Sequence, residues 1–90
     1  MERIDGAQRM ALYGTIARQA WELAEKYGLH GEEQRIRKKL HADAEEAFGS
    51  ILRDIDPGDF ATALVWAENW EDAEFLRHRR ELRERKKKRT

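Results

Sequence analysis

Apolar side chains recur at intervals of three and four residues along most of this chain, within segments that glycine or proline bounds. That interval places them on one side of an α-helix. No stretch alternates apolar and polar residues with the β-branched enrichment that is typical of a strand. The pattern therefore predicts an all-α domain.

Three helices are predicted, over residues 5–27, 32–48 and from Pro57 onward. The first begins at Asp5, a residue type that caps helix N-termini. Gly28 and Gly49 then supply the left-handed residue that commonly ends a helix. Ahead of the third helix, Asp56 is the predicted N-cap and Pro57 the first helical residue. Gly14 lies inside the first helix and predicts a close helix crossing there.

The predicted core consists of one apolar face per helix. On the first helix it comprises Tyr13, Ile16, Ala20, Leu23 and Tyr27, widened by Met10, Ala17, Trp21 and Ala24. On the second it comprises Ile36, Leu40, Ala44, Ala47 and Phe48, and on the third Phe60, Ala63, Leu64, Ala67 and Trp70. Between these two helices, Ile51, Leu52 and Ile55 are expected to fold back as an apolar plug.

Neither glycine nor proline occurs after Gly58, so a helix can continue past Trp70 to about Lys86. We therefore expect a small three-helix bundle with a charged helical C-terminal extension. The expected boundary separates a bundle domain over 1–76 from a basic extension over 77–90.

Charge is distributed unevenly, although the 18 basic and 18 acidic residues cancel. The extension holds nine basic residues, Arg77, Arg79, Arg80, Arg83, Arg85, Lys86, Lys87, Lys88 and Arg89. Only Glu81 and Glu84 oppose them, which leaves about +7 on this segment and about −7 on the rest. Three interpretations stay open: a solvated helix end, a site that attracts nucleic-acid phosphates, or a segment that pairs with the acidic body of another copy.

The sequence offers no catalytic or metal-binding pattern, so we expect neither an enzyme nor a cofactor. Cysteine is absent, and Ser50 is the only serine. The three histidines, His30, His41 and His78, do not stand at metal-ligand spacing. Asp54, Asp56 and Asp59 cluster where turn formation and capping explain them. The six glycines form no phosphate-binding loop.

Trp66 is the candidate protein-contact residue. Most aromatic residues lie on the predicted inner faces, where they are core residues rather than stacking platforms for single-stranded nucleic acid. Trp66, by contrast, lies about 100° around its helix from the apolar centre.

A chain of 90 residues buries only roughly 60–65% of its unfolded surface, so a second copy or another protein is expected to complete the apolar surface. No apolar run reaches the length of a membrane span, and no secretion signal opens the chain, so we expect a cytoplasmic location.

Residues 40–70 resemble the C-terminal domain of phage antirepressor proteins, a family first named from an open reading frame of lactococcal phages. The shared residues are Phe48-Gly49, Arg53-Asp54-Ile55, Phe60, Ala63-Leu64 and Trp70. In that family the domain follows a separate DNA-binding domain, which these 90 residues do not include. The resemblance implies a phage or mobile-element regulatory module that acts through protein contacts, without catalytic residues or a cofactor.

Overall fold

The computed structural model describes residues 3–50 and 52–88, with side chains up to Lys86. It contains four α-helices, α1 (Gly6–Tyr27), α2 (Glu33–Phe48), α3 (Phe60–Asn69) and α4 (Ala73–Lys88). Two short 3-10 turns, Leu52–Asp54 and Pro57–Asp59, connect α2 to α3. No strand occurs within these ranges, and the predicted all-α class is confirmed.

Both ends of α1 form where the sequence predicted them. The Asp5 carboxylate accepts a hydrogen bond from the Gln8 backbone N–H at 2.8 Å, and the Gln8 side chain accepts one from the Asp5 N–H at 3.0 Å. This reciprocal pair satisfies two N–H groups that the first turn leaves without helical partners. Gly28 ends α1 in the left-handed conformation, with φ of 69°.

The segment between α2 and α3 packs onto the core. Gly49 ends α2 with φ of 70°, as predicted. Leu52 and Ile55 are buried, and the Ile4 N–H donates to the Ile55 carbonyl at 2.9 Å. The predicted plug is therefore confirmed for these two residues, whereas Ile51 lies outside the described residues.

The start of the third helix differs from the prediction. The Asp56 carboxylate accepts from the Gly58 N–H at 2.7 Å, so its predicted capping role is confirmed. However, Pro57 opens a 3-10 turn, and the α-helix begins three residues later at Phe60. The Asp56 side chain closes this tight turn itself, as aspartate commonly does.

The buried core lies where α1 packs against α2 and α3. Sixteen apolar residues form it, namely Ile4, Leu12, Ile16, Ala20, Leu23, Ala24, Leu29, Ile36, Leu40, Ala44, Leu52, Ile55, Ala63, Ala67, Trp70 and Leu76. Phe48, Phe60 and Leu64 pack against it while partly buried. The inner faces predicted for α2 and α3 are thus confirmed, except that Ala47 is exposed.

The wide apolar face predicted for α1 is wrong in part. Met10 is 75% exposed, Trp21 54% and Tyr13 38%, whereas Leu12, which the prediction left out, is buried. Met10 and Trp21 lie about 120° or more around α1 from the Ile16 side that faces the core. No helix crosses at Gly14 either, because a Cβ built there meets nothing within 4 Å.

The predicted continuous helix past Trp70 is also wrong. Trp70 is extended, with ψ of 131°, and ends α3. Asp72 then caps a new helix, because its carboxylate accepts from the Phe75 N–H at 3.0 Å and its carbonyl accepts from the Leu76 N–H at 3.0 Å. An N-cap aspartate therefore separates α3 from α4 without glycine or proline.

The molecule is elongated, with extents of 53 × 20 × 17 Å. The longest helix, α1, spans about 33 Å at 1.5 Å per residue. The side chains from Glu84 to Lys86, near the end of α4, are exposed.

Candidate functional site

Helix α4 carries most of the basic residues that the sequence singles out, and Arg79 fixes it to the rest of the molecule. The Arg79 Nη2 and Nε atoms lie 2.7 and 2.8 Å from the Glu32 Oε1 atom. Both side chains are largely buried, at 21% and 14% exposure, so solvent screens this pair less than a surface pair. Leu76, one turn earlier on the same helix, is fully buried.

Arg83 makes a second attachment one turn further along. Its guanidinium donates to the backbone carbonyl of His30 in the loop between α1 and α2. Leu82 is half-buried between the two arginines. Of the nine basic residues proposed for nucleic-acid binding, Arg79 and Arg83 therefore also hold α4 in place.

Four other basic residues of α4 are exposed, Arg77, Arg80, Arg85 and Lys86. Arg80 lies 3.4 Å from Glu84 on the same helix, and both side chains are 59% exposed, so this pair is solvated and weak. The side chains of Lys87 and Lys88, and the whole of Arg89, lie outside the described residues. The exposed cations thus lie along α4, while Arg79 and Arg83 of the same helix contact the body of the molecule.

A shallow hollow of about 330 Å³ lies where α4 passes α2, lined by Arg35, Arg79, Leu82, Arg85 and Lys86. Sequence reasoning missed Arg35, which is more than 40 positions from its α4 neighbours in the chain. Only the docking of α4 on the loop before α2 brings it there. Of the four cations around Leu82 in this hollow, Arg79 is already paired with Glu32, and the charges of Arg35, Arg85 and Lys86 suit an anionic ligand.

A hydrogen-bonded cluster fixes the segment between α3 and α4 against the end of α1. Lys26 Nζ lies 2.9 and 3.0 Å from the two Glu71 carboxylate oxygens, and the Tyr27 hydroxyl donates to the same carboxylate. The hydrogen bond from Tyr27, which has the larger effect, and the one from Lys26 both lower the pKa of Glu71. Hydrogen bonding to Glu71 raises the pKa of Lys26 and of Tyr27.

Trp70 joins α1, α2 and α3 at the same break. Its indole Nε1 donates to the Asp43 carboxylate at 3.0 Å, and its carbonyl accepts from the Gln19 amide at 2.7 Å. Lys39 holds Asp43 from the other side at 3.0 Å, and this contact raises the pKa of Lys39. The position from which α4 leaves the body is therefore defined by polar contacts as well as by packing.

Trp66, the predicted protein-contact residue, is half-buried at the edge of the core. Its ring packs edge-on against Phe48, with centroids 5.9 Å apart and planes at 81°. An aromatic pair of this geometry stabilises the fold. The solvent-facing part of the indole stays available for a contact.

The histidines and the aspartate cluster do not converge. His41 lies 3.5 Å from Glu45, His30 lies 3.9 Å from Glu25, and His78 is exposed. Within 3–50 and 52–88 no group of three metal-ligating side chains occurs. Asp54 lies 3.5 Å from Arg3, while Asp56 caps its turn.

Comparison with known proteins identifies no relative of this chain. No protein-family model matches the chain, and neither a curated protein nor a solved structure matches it significantly. Among the helices described, none is both long and apolar enough to cross a bilayer.

Proposed function

We propose that this chain is a non-enzymatic binding module that attracts nucleic acid through α4 and contacts protein through its helical body. The observation that carries the proposal is the docking of α4 by Arg79 on Glu32. This contact keeps the helix attached while Arg77, Arg80, Arg85 and Lys86 face solvent. A held row of cations loses less conformational freedom on binding than a frayed tail does.

The chemistry of this surface is attraction of phosphates. Arg77, Arg80, Arg85 and Lys86 are spread along about two and a half turns of α4, and Arg35 adds a cation from α2. Binding of this kind releases counterions from the nucleic acid, so its affinity falls steeply with salt. Contacts to phosphates position a protein but do not read sequence.

The proposed setting is regulation in a phage or mobile element, in the cytoplasm, with a protein partner and without a cofactor. Its support is the resemblance of residues 40–70 to antirepressor C-terminal domains. In the fold, Gly49 ends α2, and the shared apolar residues pack in or against the core, whereas Arg53 and Asp54 are exposed. Trp66 is the proposed contact residue beside them.

The second candidate is a protein-interaction module, for oligomerisation or inhibition, that does not bind DNA. The exposure of Met10 and Trp21 favours it, because large apolar residues exposed together on one helix often mark an interaction surface. Under this alternative, duplex DNA produces no salt-sensitive binding.

A salt-dependent titration of duplex DNA tests the first candidate. We expect Arg80→Gln combined with Arg85→Gln to reduce the slope of log K against log salt by roughly two, since each lost phosphate contact removes about 0.9. Truncation after Leu76 is a poorer test, because it also removes Arg79 and leaves Glu32 without its ion pair.

The matched control is Arg9→Gln combined with Arg53→Gln. Both arginines are exposed on the body, and the double substitution removes the same net charge. We expect this control to leave the salt slope within experimental error of the wild type. Equal slopes for all three proteins, or no DNA binding by the wild type, would reject nucleic-acid attraction by α4.

A further inference from the structure

The hollow between α2 and α4 collects positive charge from two different helices. Arg35 comes from α2, whereas Arg85 and Lys86 come from α4. A second hollow of about 240 Å³ shares Arg35, Arg79, Leu82 and Lys86 with the first. We call the two hollows together the α2/α4 cleft.

Three cations of the cleft have no counter-ion. Arg35, Arg85 and Lys86 take part in no ion pair among the described residues. Arg79, by contrast, is paired with Glu32. Like charges on two helices repel across the cleft, so their repulsion opposes the docking of α4 while no anion lies between them.

The nearby carboxylates do not neutralise the cleft. Both Arg79 contacts are made to one oxygen of Glu32, which lines the second hollow. Glu33 accepts a backbone N–H at 3.2 Å and lines neither hollow. Glu81 lies one turn before Arg85, but it is exposed and lines neither hollow. The five basic residues that line the cleft outnumber these three carboxylates, so its net charge stays positive.

A phosphate group suits this arrangement better than a carboxylate does. A carboxylate is planar and carries one charge, whereas a phosphate monoester carries about −1.5 to −2 near pH 7 and has three acceptor oxygens that point in different directions. Arginine binds phosphate through two parallel hydrogen bonds. One such group can therefore accept from Arg35 on α2 and from Arg85 or Lys86 on α4 at the same time.

We infer that the α2/α4 cleft binds a phosphate group that carries more than one negative charge, and that this anion bridges α2 and α4. The bound group replaces repulsion between the two helices with attraction, so it holds α4 more firmly on the body. This site rests on the proposed function, in which cations of α4 attract nucleic acid, and it adds a place for a terminal or free phosphate. Phosphodiesters of a nucleic-acid backbone carry only one charge each.

Isothermal titration of the full chain with sodium pyrophosphate tests the site, at an ionic strength held constant with NaCl. We expect a Kd on the order of 0.1–1 mM, because a few charge-assisted hydrogen bonds carry the binding. Arg35→Gln should weaken binding roughly tenfold, the loss expected for one such bond. The matched control is Arg37→Gln, which removes the same charge from an exposed position of α2 that lines neither hollow and should leave the Kd unchanged.

A variant on α4 examines the same site from its other side. Arg85→Gln combined with Lys86→Gln should weaken pyrophosphate binding roughly tenfold or more. All three substituted positions are exposed, and circular dichroism shows whether each variant is folded. If one of the two variants does not fold, the other decides the result.

Hydrogen exchange of α4 tests the bridge itself. A ligand that binds only the docked helix stabilises docking by a factor of one plus the ratio of its concentration to its Kd. At a pyrophosphate concentration of ten times the Kd, we therefore expect backbone amides after Leu76 to exchange up to about tenfold more slowly. NaCl at the same ionic strength should leave their exchange unchanged, and Arg35→Gln should remove most of the protection at the same pyrophosphate concentration.

Two thymidine hexanucleotides distinguish the sources of the phosphate, one with a 5′-phosphate and one with a 5′-hydroxyl. If the phosphorylated strand binds more tightly and Arg35→Gln removes the difference, the site accepts the end of a strand. If the two strands bind equally while pyrophosphate binding depends on Arg35, the site takes a free phosphate. Either result supports the inference.

The inference is overturned if the wild type does not bind pyrophosphate, if Arg35→Gln and Arg37→Gln bind it alike, or if it leaves exchange in α4 unchanged. A hexaglutamate peptide that binds more tightly than pyrophosphate, and depends on Arg35, would assign the cleft to an acidic protein segment instead. A wild type that binds pyrophosphate but not duplex DNA rejects the proposed function and keeps the cleft. Binding of duplex DNA without binding of pyrophosphate does the reverse, so the two proposals fail separately.

Discussion

Glycines in this chain serve opposite roles at the scale of single residues. Gly28 ends α1 with φ of 69°, a conformation that other residues adopt only with strain. Gly14 lies within α1, has no positive φ, and has open space where a Cβ would be. Gly14 therefore lowers the stability of α1 without any close packing that requires a glycine there.

Gly14→Ala should therefore stabilise the monomeric fold. We expect the free energy of unfolding in urea to rise by about 0.5–1 kcal/mol, because alanine loses less backbone entropy in a helix and its methyl group meets no neighbour. Gly28→Ala is the control, and it should lower the free energy of unfolding because of its positive φ. A Gly14→Ala protein less stable than the wild type would mean that another group occupies this space.

Each α-helix depends on a different combination of local and distant contacts. Caps and stops such as Asp5 and Gly49 are local, so the sequence alone located the ends of α1 and α2. The exposure of Trp21 depends on which side of α1 the neighbouring helices cover, which periodicity does not determine when two sides are apolar. The Asp72 cap is local too, but it was overlooked because neither glycine nor proline accompanies it.

Helix α4 is the element that relies most on a distant contact. Arg79→Met should release it, because Glu32 is left partly buried without its partner. We expect backbone amides after Leu76 to exchange hydrogen faster, roughly tenfold or more, with little change in α1 or α2. Hydrogen exchange followed by mass spectrometry measures this segment directly.

Arg80→Met is the matched control for the release of α4. It removes the same charge one position later, from a side chain that, among the described residues, pairs with Glu84 on its own helix. Exchange in α4 should stay close to that of the wild type. If both variants exchange alike, the Arg79–Glu32 pair does not hold the helix.

For the whole molecule, function depends on groups that meet only after folding. The basic run was evident in the sequence, but its division into docking and exposed cations was not, because Glu32 and the His30 carbonyl lie more than 40 positions from it. Arg35 at the hollow was missed for the same reason. Local patterns located the candidate surface, and tertiary packing assigned the roles of its residues.

The Glu71 cluster makes the stability of the whole molecule depend on pH. Because its two donors lower the pKa of Glu71 in the folded state, this carboxylate contributes stability above its ordinary pKa of 4.5, and the contribution is lost as the pH falls through the folded value. The pKa values of Lys26 and Tyr27 are raised in the folded state, so these two groups affect stability at alkaline pH. Their contribution is complete below the ordinary values of 10.5 and 10.0 and disappears at higher pH.

Glu71→Gln should therefore destabilise the fold most near neutral pH. We expect a loss of no more than about 1 kcal/mol at pH 7, since solvent reaches the cluster, and a loss that shrinks as the pH falls from 6 to 3. Urea unfolding at a series of pH values measures the difference. Glu68→Gln, an exposed change on α3, separates the effect of the cluster from that of net charge. A difference between wild type and Glu71→Gln that stays constant with pH would mean that the carboxylate acts through packing and not through its charge.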